Sequence, residues 1–318
     1  MRISRRQFVK AMAAMSAASM LAACGGNSGS GSSGGKKALT FQIWDVAQKE
    51  GMEAMCAAYT QQHPEVSIEV QVTSWNEYWT KLEAAATSNQ MPDIFWMHTN
   101  ELLKYADNGM LADCSDIVEK DKFSEISLSN AMGSNGTLYA VPKDKDTVGL
   151  VYNKEMFDAA GVAYPDENWT WDDLVSASEK IYAATGKYGY MAYADDQLGY
   201  WNFVYQAGGY ILNEDKTKAG FTQPATEKAM KFYIGLQQND WCPDQTYFAE
   251  TAPGTAFFSE KGAMFLEGDW NILAELQNYP EMVGKWDVAV LPKCPDPESG
   301  DGRATISNLS LIHISEPT

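Results

Sequence analysis

The chain has 318 residues, of which 45% are hydrophobic, and it carries a formal charge of −18. That length and apolar content allow a sizeable core and suggest about two domains. A surface so acidic repels phosphate backbones and anionic lipid headgroups, which excludes nucleic acid as a partner and membrane attachment by charge.

In chain order, residues 1–23 read as a cleavable export leader, with Arg2, Arg5, Arg6 and Lys10 ahead of an Ala- and Met-rich stretch, Ala11–Ala23. The run between Lys10 and Cys24 is too short for a membrane span, which needs roughly 20 apolar residues. Ser4-Arg5-Arg6-Gln7-Phe8-Val9-Lys10 matches the twin-arginine pattern, but general secretory leaders also contain adjacent arginines, so both export routes stay open. Leu21-Ala22-Ala23-Cys24 has the form of a lipobox, in which Cys24 becomes the acylated first residue of the mature protein. Residues 24–37 then form a Gly/Ser-rich tether that buries too little apolar surface to order itself, and its reach is on the order of 20 Å. The four later cysteines, Cys56, Cys114, Cys242 and Cys294, show no CxxC spacing, so neither zinc nor any other metal or cofactor is expected. Cys56 falls on an apolar helical face and suits a buried thiol as well as a disulfide.

The folded part begins with a short strand at Leu39–Ile43, where apolar residues alternate with Thr40 and Gln42, and it ends in Trp44-Asp45. Met52, Met55, Cys56 and Tyr59 sit at helical spacing, and His63-Pro64 stops that run. Val66, Ile68, Val70 and Val72 alternate with polar residues as a second strand, ending near Ser74-Trp75-Asn76. Tyr78, Leu82, Ala85 and Ala86 mark the next helical face, and the apolar run Ile94–Met97 reads as a fully buried strand. Leu102, Leu103 and Ala106 mark the helix behind it. Strand and helix in strict alternation predict a parallel sheet covered on both faces, with ligands beyond the carboxyl ends of the strands.

A second α/β unit follows. A strand is expected at Val148–Tyr152, then a helix capped by Asn153 and ended by Gly161, and a further helix opened by a capping box at Thr170–Asp173. Strands are predicted at Tyr188–Tyr193, Ala263–Leu266 and Asp287–Leu291, with helices near 201–207 and 225–238.

Several motifs in order now carry a resemblance: Pro92-Asp93-Ile94; Leu138-Tyr139-Ala140-Val141-Pro142 followed by Asp146-Thr147 and Leu150-Val151-Tyr152-Asn153-Lys154; Trp169-Thr170-Trp171-Asp172-Asp173-Leu174; and Lys261-Gly262-Ala263-Met264 leading to Gly268-Asp269-Trp270. From about residue 38 to 305 the chain resembles the extracellular solute-binding proteins of family 1, which include maltose-binding protein and serve carbohydrate importers. The resemblance implies a two-lobed α/β fold of the type II periplasmic-binding-protein class, each lobe a mostly parallel sheet flanked by helices, closing on a ligand by hinge motion. Lobe 1 is then expected over 38–146 and an incomplete lobe 2 over 147–305, with crossover strands near Asp146 to Gly149 and just after Thr305 to Asn308. Relative to that class the chain stops about a hundred residues short. Residues 306–318 are expected to hold the start of the second crossover, and Leu311 onward a non-native tail that is left out of fold reasoning.

A sugar offers an apolar face and a rim of hydroxyls, so its site needs flat aromatics plus carboxylates or amides. Trp44, Tyr78, Trp201 and Trp270 are the stacking candidates, and Asp45, Asn76, Asp144 and Asp146 the hydroxyl partners. Of these, the resemblance directs Asp146 to the ligand. His98 suits either a ligand contact or a structural role, and Asp144 and Asp146, alternating with Lys143 and Lys145, also fit a solvated charge run. The expected partners are a sugar or oligosaccharide and the permease subunits of an ABC importer, with a monomer held to the outer face of the membrane by lipid alone. Two rivals stay open: a receptor for a peptide or polyamine, which an acidic cleft also suits, and a glycoside hydrolase using Asp144 and Asp146. The absence of HExxH, a P-loop or a usable nucleophile elbow argues against an enzyme.

Overall fold

The structure, a computed structural model, describes residues 37–213 and 217–314. The leader, Cys24 and the tether up to residue 36 lie outside the described residues. Lys37, expected at the end of the tether, is already the first residue of a strand.

The first lobe alternates β1 (Lys37–Ile43), α1 (Lys49–Gln62), β2 (Val66–Val72), α2 (Trp75–Thr87), β3 (Ile94–His98) and α3 (Thr99–Ala106). Strands β2, β1 and β3 lie side by side in parallel. The pleat sends alternate residues to opposite faces. Phe95 and Met97 therefore pack with Tyr78, Leu82, Leu102 and Tyr105 from α2 and α3, while Trp96 turns the other way to join Phe41, Ile43, Val70 and Cys56 beneath α1. Of the face expected on α1, Cys56 is buried but Met55 and Tyr59 are exposed. This helix lies beside the edge strand β2, so a narrow strip of it meets the sheet.

A short helix, α4 (Glu125–Asn130), precedes β4 (Val141–Asn153), a strand that belongs to both lobes. Val141–Thr147 pair with β8 (Ser307–Ile314) in the first lobe, whereas Val148–Asn153 pair with β6 (Gly262–Gly268) and β7 (Trp286–Ala289) in the second. β8 in turn lies antiparallel to β3, so the strands run in the order β2-β1-β3-β8-β4-β6-β5, with β5 being Tyr188–Tyr190 and β7 branching from β4. Residues 311–314, expected to lie outside the fold, continue β8. Leu311 and His313 are fully buried at the centre of the sheet, because Leu309, Leu311 and His313 alternate as strand residues do, with Leu311 entering the first-lobe core.

In the second lobe, α5 (Lys154–Ala160) is capped by Asn153, whose side chain accepts from the Met156 N–H at 3.0 Å, and is closed by left-handed Gly161. The capping box of α6 (Trp171–Thr185) is reciprocal: Thr170 Oγ1 accepts from the Asp173 N–H at 3.3 Å, and Asp173 Oδ2 accepts from the Thr170 N–H at 2.9 Å. These helices, with α7 (Trp201–Gln206) and α8 (Pro224–Leu236), cover one face of the sheet through Phe157, Trp171, Leu174, Phe203 and Tyr233. Two helices the sequence reading did not place, α9 (Gln245–Glu250) and α10 (Pro253–Phe258), cover the other through Phe248, Phe257 and Phe258. Each buried phenylalanine contributes about 1.5–3 kcal/mol. Among the described residues no helix is long and apolar enough to cross a membrane.

Candidate functional site

The carboxyl ends of β1, β2 and β3 deliver a set of aromatic residues to the junction of the lobes. Trp44, just after β1, lies edge-on to Trp75, Tyr78 and Trp96 with ring centroids 5.2, 5.2 and 5.0 Å away. Trp75, the first residue of α2, is 41% exposed and sits 5.5 Å from the His98 ring. His98 ends β3 and caps α3: its Nδ1 accepts from the Asn100 N–H at 3.2 Å, which places the ring proton on Nε2. Burial holds its pKa down at about 4, against the pull of Asp144 and Asp196, so it is neutral at physiological pH.

The crossover strand supplies acid. Asp146 is half-buried, and burial together with Asp144 and Asp269 raises its carboxyl to about 6, opposed by Lys143. Asp269 opens α11 (Asp269–Asn278) in the second lobe, and its Oδ1 accepts from the Thr147 N–H at 3.1 Å. Across the junction, Asp195 caps the turn at Asp196–Tyr200 by accepting from the Leu198 N–H at 2.7 Å, and burial raises its pKa. Carboxylates from β4 and from two segments of the second lobe therefore share one electrostatic neighbourhood. Nearby Glu267, 6% exposed, is pushed up by burial to about 7, although the Gly268 N–H and the Asn271 amide both donate to it.

Lys143 does not belong to a solvated charge run. β4 carries a bulge between Pro142 and Asp144, where the extra residue breaks the alternation of the pleat. The Lys143 side chain is 9% exposed. Its Nζ lies 4.0 Å from the Trp96 ring centroid, donates to Gln48 Oε1 at 3.0 Å and pairs with Asp144 Oδ2.

The proposed site residues thus separate. Trp44, His98, Asp144 and Asp146 come together with Trp75, Asp196 and Asp269. Asp45 lies in the loop after β1, where its carboxylate accepts from the Ala47 N–H and from Gln48 Nε2 at 2.8 and 2.9 Å. Trp270 follows Asp269 and folds back over Gly268, where a Cβ would meet the indole at 2.3 Å. Tyr78 is corrected to a core residue: it is 1% exposed, and its hydroxyl donates to the Trp96 carbonyl at 2.7 Å and lies 3.3 Å from that of Gln42. Its helical spacing with Leu82 had already marked an inward face. Asn76 is exposed in the first turn of α2. Trp201 packs, partly buried, against the second-lobe core. Trp75, Asp196, Asp269 and Lys143 were missed as site residues; position after a strand could have identified Trp75 and Asp269, while the other two depend on distant partners.

The second crossing is fixed by amides of the second lobe. Asn202 Oδ1 accepts from the Ile306 N–H at 2.8 Å, Gln206 Nε2 donates to the Ala304 carbonyl at 2.9 Å, and Thr305 Oγ1 donates to the Val148 carbonyl at 2.8 Å. Two cavities of about 260 and 740 Å³ open in the first lobe, on Gln42, Thr73 and Gln90 and between α1 and β2 respectively, and neither includes the junction carboxylates. Among the described residues no group of three His, Cys, Asp or Glu side chains is placed to hold a metal ion.

A family model described as bacterial extracellular solute-binding protein matches residues 44–309. The lactose-binding protein of Rhizobium radiobacter is 26% identical over 283 residues, covering 85% of this chain and 64% of its own length. The arabinooligosaccharide-binding protein of Bacillus subtilis is 26% identical over 310 residues, covering 92% and 68% respectively. Among solved structures, an ABC substrate-binding protein from Listeria monocytogenes in complex with cycloalternan aligns with a TM-score of 0.76 at 26% identity, over 89% of this chain and 72% of that one. The chain thus spans just under two thirds of the length of the first of these relatives.

Proposed function

Because the chain belongs to the bacterial extracellular solute-binding protein family, we propose that it captures a sugar or oligosaccharide between its two lobes and delivers it to the permease of an ABC importer. Its fold is the type II periplasmic-binding-protein-like architecture of the structural neighbours. The observation that carries the reading is the meeting of an exposed indole, Trp75, with His98 and with the carboxylates Asp144, Asp146 and Asp269 where both lobes join. An indole face covers the apolar side of a pyranose, carboxylates accept from adjacent hydroxyls, and a neutral His98 offers an Nε2–H donor. Trp44 meets Trp75 edge-on, and Trp270 stands on the opposite lobe next to Asp269.

In this reading Cys24 bears the lipid and residues 24–37 form the tether, so the protein works as a monomer on the outer face of the cell membrane, without enzymatic activity. Lobe 1 comprises residues 38–146 and lobe 2 residues 147–305. The names of the relatives, which specify lactose and arabinooligosaccharide, favour a saccharide. The crowding of acid at the junction is the observation that favours a second reading, a receptor for a cationic peptide or polyamine.

Isothermal titration with lactose, maltotriose, an arabino-oligosaccharide and spermidine separates these readings. Saturable heat with a saccharide and no released monosaccharide is the expected result. Binding of spermidine alone would overturn sugar capture, and released monosaccharide would indicate hydrolysis.

A further inference from the structure

We propose that Lys143 is a positioning residue of this site, which holds the Asp144 carboxylate and, through Gln48, the Asp45 loop after β1 in place from the point where three chain segments meet; the proposal deepens the sugar-capture reading and rests on it. The chain of contacts is continuous. Asp45 Oδ2 accepts from Gln48 Nε2 at 2.9 Å, and Gln48 Oε1 accepts from Lys143 Nζ at 3.0 Å. Lys143 Nζ pairs with Asp144 Oδ2, and Asp144 Oδ1 accepts from the Ser310 N–H at 3.2 Å. The loop after β1, the bulge of β4 and the middle of β8 are thereby joined through one ammonium.

An ammonium has three N–H donors. Here one meets Gln48, one meets Asp144, and the charge rests over the face of Trp96. All three directions are engaged within the protein, so the group orients its neighbours and does not itself grip a ligand. A lysine side chain only 9% exposed is settled there by these partners, and removing them would leave a buried polar group uncompensated. Carboxylates that accept from adjacent sugar hydroxyls must be held to within about 0.5 Å, and support from behind supplies that precision.

The test compares Lys143→Met and Lys143→Arg in the full chain by amide hydrogen exchange and by fluorescence titration with lactose and maltotriose. The reporters are the Ala47 and Ser310 N–H groups, which donate to Asp45 Oδ1 and Asp144 Oδ1 on separate segments. Lys143→Met is expected to speed exchange at both amides roughly tenfold and to weaken saccharide binding at least tenfold, with Lys143→Arg restoring most of both. Unchanged exchange at both amides overturns the proposal, as does a lower melting temperature with wild-type affinity. If neither saccharide binds the wild-type chain, the capture reading fails, and exchange at the two amides still decides the positioning role.

Discussion

The side-chain amide of Asn308 donates to Oε1 of Gln197 across 2.8 Å, fastening the root of the second crossover strand to the second lobe. Asn308 is 7% exposed, and its neighbours Thr305 and Ile306 are held by Val148 and Asn202. Removing the amide leaves the Gln197 carbonyl oxygen without this donor in a partly buried setting. Asn308→Ala is expected to destabilise the fold by about 1–2 kcal/mol, read as a lower urea midpoint with an unchanged slope.

The contribution of Glu267 to stability should fall as pH rises from about 4.5 to about 7. Burial raises Glu267 to about 7 from an ordinary value of 4.5, so the folded state binds its proton more tightly than the unfolded chain does. That contribution is complete below about 4.5 and is lost as pH climbs through about 7, amounting to on the order of 3 kcal/mol. Asp146, raised in the same direction, adds to the trend up to about 6. Glu267→Gln keeps an acceptor for Gly268 and Asn271 while removing the titration. Chemical denaturation at pH 5 and pH 8 should show the variant gaining stability relative to the wild type at the higher pH.

Trp75 and Tyr78 are three residues apart on α2 and should behave in opposite ways. Trp75→Ala removes a ring that is 41% exposed, so melting should shift little while saccharide affinity falls roughly tenfold, about 1.4 kcal/mol. Tyr78→Phe removes a buried hydroxyl that donates to the Trp96 carbonyl and should cost about 1 kcal/mol of stability with affinity intact. Thermal melts paired with fluorescence titrations give both readouts.

Gly189 marks the closest approach of β5 to α6. A Cβ there would lie 2.3 Å from the Ser178 Cα, a backbone atom that no rotamer change can move aside. Gly189→Ala is therefore expected to lose about 1–3 kcal/mol. A melting temperature within a degree of wild type would show that the helix shifts freely away from the sheet.

Signals written in adjacent residues were legible in the sequence. The alternation of Leu39, Phe41 and Ile43, the apolar run Ile94–Met97, the capping box at Thr170 and Asp173, and left-handed Gly161 all have local causes, and the structure contains each. The true length of β4 is hidden in the sequence because the Lys/Asp alternation at 143–146 reads as a charge run. The bulge that turns Lys143 inward depends on pairing with β8, more than 160 residues away. The links from Asp146 to Asp269 and from Gln197 to Asn308 likewise join distant segments. Tyr78 failed as a site residue for the converse reason: position after a strand suggested exposure, whereas helical spacing with Leu82 set its direction.

The placement of β8 also governs the order of assembly. Its partners Phe95 and Asp144 precede it by more than 160 residues, yet it occupies the middle of the sheet, with His313 opposite Phe95 and Ser310 opposite Asp144. The first lobe cannot seal its part of the ladder until this segment has left the ribosome, whereas the second lobe pairs β4 with β6 and β7 without it. Contacts of such long sequence separation slow folding, and a first lobe that stays open until then offers chaperones a long window for capture.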